Sequence, residues 1–288
     1  MNPLLTRMLA CADPSQVEGL SRFFKTGPGQ YGEGDTFLGI KVPVTREVVK
    51  ACWREMLPSD GHAARPKNDH AARTRDAQTT FPELEECIRS EYHEVRLAAL
   101  LTLVEIFHYA KKAAEKSGML QKQCIDFYLA HTAYINNWDL VDLSCYPLLG
   151  EWLLDKDRTL LYDLARNGKT LWEQRIGIVS TMTFIRHGQL EDTFALADIL
   201  LHHPHDLIHK AVGWLLREAG KRDKAALEAY LKGALAEAVG AAEDGALAET
   251  GDAIRQPAAP RFRTMPRTML RYAIEKFPEA ERQAYLAR

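Results

Sequence analysis

The chain has 288 residues, enough for one large domain or two small ones, and its 46% hydrophobic and 26% charged content is ordinary for a globular protein. A formal net charge of −2 argues against indiscriminate binding to nucleic acid and leaves room for a local basic surface. No apolar run approaches the roughly eighteen residues of a membrane span, and the opening MNPLLTRMLACADP lacks the apolar core of a secretion signal, so a cytoplasmic protein with no membrane partner is expected.

In chain order, Asp13-Pro14-Ser15-Gln16 reads as an N-cap, a first-turn proline and a capping-box glutamine, opening a helix that carries Val17, Leu20 and Phe23–Phe24. Residues 24–44, FKTGPGQYGEGDTFLGIKVPV, are irregular, and their glycines and prolines suit tight turns. The segment has no Gly-x4-Gly-Lys-Ser/Thr pattern, which argues against a nucleotide phosphate loop, and Tyr31 in its middle is placed to project. Thr45 is expected to cap the next helix, with Val48, Val49, Cys52 and Trp53 on one side. Helical spacing then predicts helices near 82–90, 92–112, 118–132, 138–154, 158–166, 170–187, 190–201, 206–220, 224–238 and 265–277. No run of alternating β-branched residues competes, so the class is all-α. Residues 59–80, polar, and 239–262, rich in Ala and Gly, read as loop insertions between repeats of one domain spanning 1–288, because apolar helices resume on either side.

Cys11, Cys52, Cys87, Cys124 and Cys145 lie far apart without a C-x-x-C pair and read as free thiols in a reducing compartment. His202, His203, His205 and His209 straddle a His-Pro turn without carboxylate or thiol partners at ligand spacing, so no metal site is expected. From Ile254 to Arg288, eight basic residues face three acidic ones, which is either a solvated helix face or a basic binding surface.

Trp138, Arg175 and Trp214 stand out by spacing. They lie 37 and 39 residues apart, in NNWDLVDL (136–143), LWEQRIGIV (171–179) and HKAVGWLLRE (209–218). A period near forty in a helical chain is that of stacked two-helix repeats, whose equivalent positions line one surface. Asp142, one turn after Trp138, would share that face. Two indoles, a guanidinium and a carboxylate together suit a cationic aromatic group beside a phosphate. The plainer readings are core packing for the tryptophans, to which Trp53, Trp152 and Trp172 are assigned, an inter-repeat salt bridge for Arg175, and a surface carboxylate for Asp142.

These stretches resemble the AlkD-like DNA alkylation repair glycosylases, a family of HEAT-like helical repeat proteins, over roughly residues 15–275. The matching pieces are Tyr31 with FLGI at 37–40, Trp138-Asp139-x-Val141-Asp142, Trp172-x-x-Arg175 and Lys210-Ala211-x-Gly213-Trp214-x-x-Arg217-Glu218, in the family's order. The chain departs from the pattern in its two insertions and in the polar Asn136-Asn137 ahead of Trp138. The resemblance implies a curved α-solenoid and a monofunctional DNA glycosylase, a hydrolase of base excision repair. Its substrates would be cationic alkylpurines, chiefly 3-methyladenine and 7-methylguanine, in duplex DNA, with no cofactor and the protein a monomer. The implied site is Asp142 as the catalytic carboxylate, Trp138, Trp214 and Tyr31 against the lesion, and Arg175, Lys210, Arg217 and Arg267 on DNA phosphates. The alternative is a non-catalytic scaffold that reads DNA shape or binds protein.

The chemistry agrees with that assignment. An N3- or N7-alkylated purine is already positively charged, so its base leaves neutral while the sugar gains oxocarbenium character. Such a reaction needs little acid catalysis and a carboxylate near C1′. No lysine stands beside Trp138 for a Schiff-base step. Asp139, one position after Trp138, is expected to point elsewhere, towards the helix start, where its charge suits the macrodipole.

Overall fold

Two capping side chains begin the helical order in the computed structural model, which describes residues 2–57, 81–112, 117–233 and 260–287. Asn2 Oδ1 accepts the Leu4 and Leu5 amides at 3.1 and 3.2 Å, and Asp13 Oδ1 accepts the Ser15 amide at 3.0 Å. Each cap precedes a first-turn proline, so α1 (Pro3–Ala10) and α2 (Pro14–Phe23) start where orphan amides find acceptors. Gln16 does not close a capping box: its amide turns to Ser15 Oγ at 3.3 Å, and the Asp13 amide donates instead to Leu38 O at 2.8 Å. Thr45 is not a cap either. The next helix, α3 (Val42–Cys52), starts ahead of it with Pro43 in its first turn, and Thr45 is buried within the helix.

The chain divides into two compact units, Met1–Trp152 and Leu153–Arg288. The first holds α1 to α3, α4 (Pro82–Ile88), α5 (His93–Lys112), α6 (Ser117–Ala130) and the short α7 (Trp138–Asp142). Its organising element is α5, which packs against α1, α3, α4 and α6 and is buried along most of its length. A helix apolar on nearly every side has its place at the centre of a unit. The single helix expected over 138–154 is broken. The Ser144 hydroxyl bonds back to the Leu140 carbonyl, and Pro147 has no amide to donate, so Tyr146–Gly150 winds as a π-turn.

The second unit holds α8 (Thr159–Asn167), α9 (Leu171–Val179), α10 (Met182–Arg186), α11 (Glu191–Ile199), α12 (Asp206–Arg222), α13 (Lys224–Lys232), α14 (Arg261–Thr264), α15 (Arg267–Ala273) and α16 (Glu279–Leu286). Its centre is α12, packed against α9, α11, α13 and α15. Gly213 allows that approach: a Cβ there would lie 2.5 Å from Met269 O and 2.5 Å from Tyr272 Cβ. The helix expected over 170–187 divides at Ser180–Thr181, where both hydroxyls bond backward to main-chain carbonyls at 2.7 Å.

Among the described residues there is no strand, only an isolated bridge between Thr36 and Tyr92, and the fold class is all-α as expected. No helix among them is long and apolar enough to cross a membrane. The cysteines are free thiols, four buried and Cys11 half-buried. The insertion expected over 59–80 lies outside the described residues, as do 239–259 of the second one. Arg261 and Phe262, at the end of that stretch, open α14.

Candidate functional site

In the first unit the site is built on the glycine-rich segment after α2. Phe24 turns inward, and Lys25 takes a left-handed backbone conformation with φ 57 to start the loop. The loop closes on its own side chains: Gly27 N–H donates to Gln30 Oε1 at 3.0 Å and Gly29 N–H to Glu33 Oε2 at 2.9 Å. Its far end is clamped by a buried carboxylate. Glu94, at the start of α5, accepts the amides of Leu38, Gly39 and Ile40 at 2.9, 2.9 and 3.0 Å. A buried carboxylate is tolerable when its charge is met by such N–H groups. Gly39 is required here, since its φ is +86 and a Cβ would fall 1.9 Å from Asp13 O.

Beside Glu94, His93 links the loop to α7. Its Nδ1 lies 2.8 Å from Asp35 Oδ2 and its Nε2 lies 2.9 Å from Asp139 Oδ2, all three side chains being almost wholly buried. Arg96 pairs with the other oxygen of Asp35 and donates to Asn136 Oδ1 at 3.1 Å. Burial alone pushes the His93 imidazolium down, but the bonds to Asp139 and Asp35 outweigh it and hold the pKa up to about 9. Burial likewise pushes the Asp35 carboxyl up, and His93 with Arg96 more than reverses that, leaving it below its ordinary value. Two carboxylates thus face one imidazolium and one guanidinium.

On this base stands α7. Asn137 caps it, with Oδ1 accepting the Trp138 amide at 2.9 Å. The half-buried Trp138 indole stacks on Phe24 at 5.4 Å between centroids and meets the edge of Phe23 at 5.8 Å. Phe23 is 60% exposed, and the Tyr31 hydroxyl lies 3.5 Å from its carbonyl oxygen. Tyr31 itself is half-buried. Asp142, one turn after Trp138, is also half-buried. Asp139 faces the interior: Oδ1 accepts the Leu140 amide at 2.9 Å, in keeping with the first-turn position expected for it, while Oδ2 is held by His93, a pairing the sequence did not reveal. The first unit therefore gathers Tyr31, Trp138 and Asp142 of the expected site, and adds Phe23.

The second unit places the others. Arg175 is 5% exposed on α9 and donates from Nη1 to Leu207 O, in the first turn of α12, at 2.5 Å. Trp214 is half-buried on α12. Lys210 pairs with Asp206 at 2.7 Å and lowers the pKa of that carboxyl. Arg217 is paired with Glu218 at 3.2 Å and with Glu275. Arg267 is exposed and donates to Leu286 O at 2.6 Å. Trp53 and Trp172 are buried, as expected of core residues, and Trp152 is half-buried. The histidines near Pro204 are engaged in local hydrogen bonds, His203 with Gln174 at 2.9 Å and His209 with the His203 carbonyl at 2.5 Å.

Sequence reasoning missed Phe23, Asp35, His93 and Glu94. The exposed Phe23 belonged to an apolar pair that reads as core, and the three ionisable residues acquire meaning only from partners far along the chain.

A family model described as DNA alkylation repair enzyme matches residues 4–277. Among solved structures, a predicted DNA alkylation repair enzyme from Enterococcus faecalis superposes with a TM-score of 0.57 at 15% identity, covering 93% of this chain and 97% of that one. At that identity the likeness concerns the fold. No curated protein matches the sequence significantly.

Proposed function

The chain belongs to the DNA alkylation repair enzyme family, and on that premise we propose that it is a monofunctional glycosylase hydrolysing the N-glycosidic bond of cationic alkylpurines in duplex DNA. The observation that carries this reading is the division of labour on α7. Asp139 is turned inward and neutralised by His93, whereas Asp142 stands half-buried one turn from a half-buried indole. A carboxylate beside an aromatic wall suits a sugar that becomes oxocarbenium-like while a cationic base departs neutral.

In this reading Asp142 stabilises the developing positive charge and orients water. Trp138 and Trp214, with Tyr31, contact the lesion nucleotide, each indole contributing about 0.5–2 kcal/mol of cation–π attraction according to how far the site is desolvated. Phe23, edge-on to Trp138, extends the same wall. Arg175, Lys210, Arg217 and Arg267 hold backbone phosphates in the same reading. HEAT-like repeats, a single domain, a monomer and a cytoplasmic setting belong to the same proposal.

The test is release of 7-methylguanine from a duplex oligonucleotide under single-turnover conditions. Free base and an abasic site are expected. Binding to the duplex without release would instead favour a non-catalytic reader of DNA shape.

A further inference from the structure

We propose that His93 is a positioning residue for base excision: its ring joins Asp35 of the glycine-rich loop to Asp139 of α7 and thereby fixes Trp138 and Asp142 against the segment that carries Phe23 and Tyr31. The inference rests on the glycosylase reading for its kinetic consequence, and on the geometry alone for the linkage.

Both acceptors are carboxylates, which have no proton to give when ionised, so each ring nitrogen donates and the ring is an imidazolium. Its partners come from two different segments, 58 residues before it and 46 after it. Asp139 lies between Trp138 and Asp142 on one short helix, so holding its carboxylate sets the rotation of the whole turn. Asp35 is itself fixed by Arg96, and Asn137 Nδ2 approaches it at 3.5 Å. The ring also packs: Phe24 lies 4.7 Å and Phe37 4.8 Å from it between centroids, and Phe24 is the ring on which Trp138 stacks. One side chain therefore links loop, indole and α7 by hydrogen bonds and by stacking.

The charged groups around it are few. From the loop comes Asp35, from α7 Asp139, and from its own helix Arg96, which faces Asp35, and Glu94, which faces the amides of residues 38–40. Loss of the proton would leave one nitrogen lone pair against a carboxylate in a buried site, opening one of the two links. Tilting α7 then moves Asp142. A displacement of the order of 1 Å at a reacting group can cost about a hundredfold in rate.

Single-turnover excision of 7-methylguanine by the full chain separates positioning from mere stabilisation. His93→Gln should lower the rate constant about a hundredfold while the Kd for undamaged duplex stays within about twofold, because the phosphate contacts do not depend on α7. The wild-type rate constant, corrected for substrate alone, should fall as pH rises through about 9, and the variant should show no such inflection. A His93→Gln enzyme with wild-type rate and an unchanged pH profile overturns the proposal.

Nitrogen-15 shifts of the His93 ring in the wild-type chain, assigned against that variant or by sequential connectivity, give a reading that needs neither activity nor a folded variant. Two protonated nitrogens at pH 7.5, with loss of one near pH 9 accompanied by a change in Trp138 emission (wild type minus Trp138→Phe), support the linkage. A neutral ring at pH 7.5, or titration that leaves Trp138 unmoved, refutes it. Wild-type protein that passes this test but releases no base would refute the glycosylase reading alone.

Discussion

Trp138 and Asp142 lie one turn apart on α7, and Asp139 between them is drawn inward to His93 Nε2 at 2.9 Å. Two carboxylates three residues apart thus meet opposite environments. One is buried in a charge-compensated network; the other is half-buried one helical turn from Trp138.

Asp142→Asn should keep affinity for duplex DNA and lose excision. A preorganised charge aimed at a developing cation is commonly worth about 2.7–4 kcal/mol, or roughly a hundred- to a thousandfold in rate. Single-turnover kinetics beside a binding isotherm check this. A near wild-type rate would remove Asp142 from the mechanism.

Phe23→Ala tests the aromatic wall with little cost to the fold. The ring is 60% exposed, so mainly its edge contacts with Phe24 and Trp138 are lost, each about 0.5–1.5 kcal/mol of stability. Excision should slow several-fold while the urea midpoint shifts only slightly. If excision is unchanged, Phe23 does not belong to the lesion-contacting surface.

Arg175→Ala should act in two ways. Losing the charge-assisted bond to the Leu207 carbonyl should cost about 1.5–3 kcal/mol of stability. Loss of a phosphate contact should weaken binding to lesion-bearing and plain duplex alike and reduce the salt slope by roughly 0.9. A destabilised variant that binds DNA with unchanged affinity and slope would make Arg175 a purely internal link between α9 and α12.

Stability should fall in alkali through His93. Its pKa is about 9 in the fold against about 6.5 unfolded, so the folded state binds this proton more tightly. The contribution is therefore complete below about pH 6.5 and is lost as pH climbs through about 9. Asp35 behaves oppositely: its lowered pKa stabilises the fold above its ordinary value and that help fades in acid. Urea midpoints should decline between about pH 7 and 9.5 in the wild type and stay flatter in His93→Gln. A wild-type midpoint that holds level across that interval would contradict the assigned linkage.

Helical spacing made the all-α class legible, and Asp13-Pro14 marked a helix start to the residue. Breaks were harder to see. Over 138–154 the apolar pattern continues, yet Ser144 bonds backward and Pro147 lacks an amide, so the helix gives way to a π-turn. Thr45 has a cap's chemistry, but Pro43 sets the start earlier. At the candidate site, the one-turn spacing of Trp138 and Asp142 on α7 was readable because they sit four residues apart. His93 was not, because its two partners are 58 and 46 residues away and its neighbours form an ordinary buried helix.

The most direct test of the account compares single-turnover excision from two duplexes that differ in lesion charge, 7-methylguanine and hypoxanthine. In the proposed reading an indole gains attraction from a cationic base, and Asp142 acts as a carboxylate and not as an acid for a neutral leaving group. The account predicts rapid release of 7-methylguanine and release of hypoxanthine slower by orders of magnitude. Comparable rates on both would contradict charge recognition in this site, even in a protein that proved to be a glycosylase.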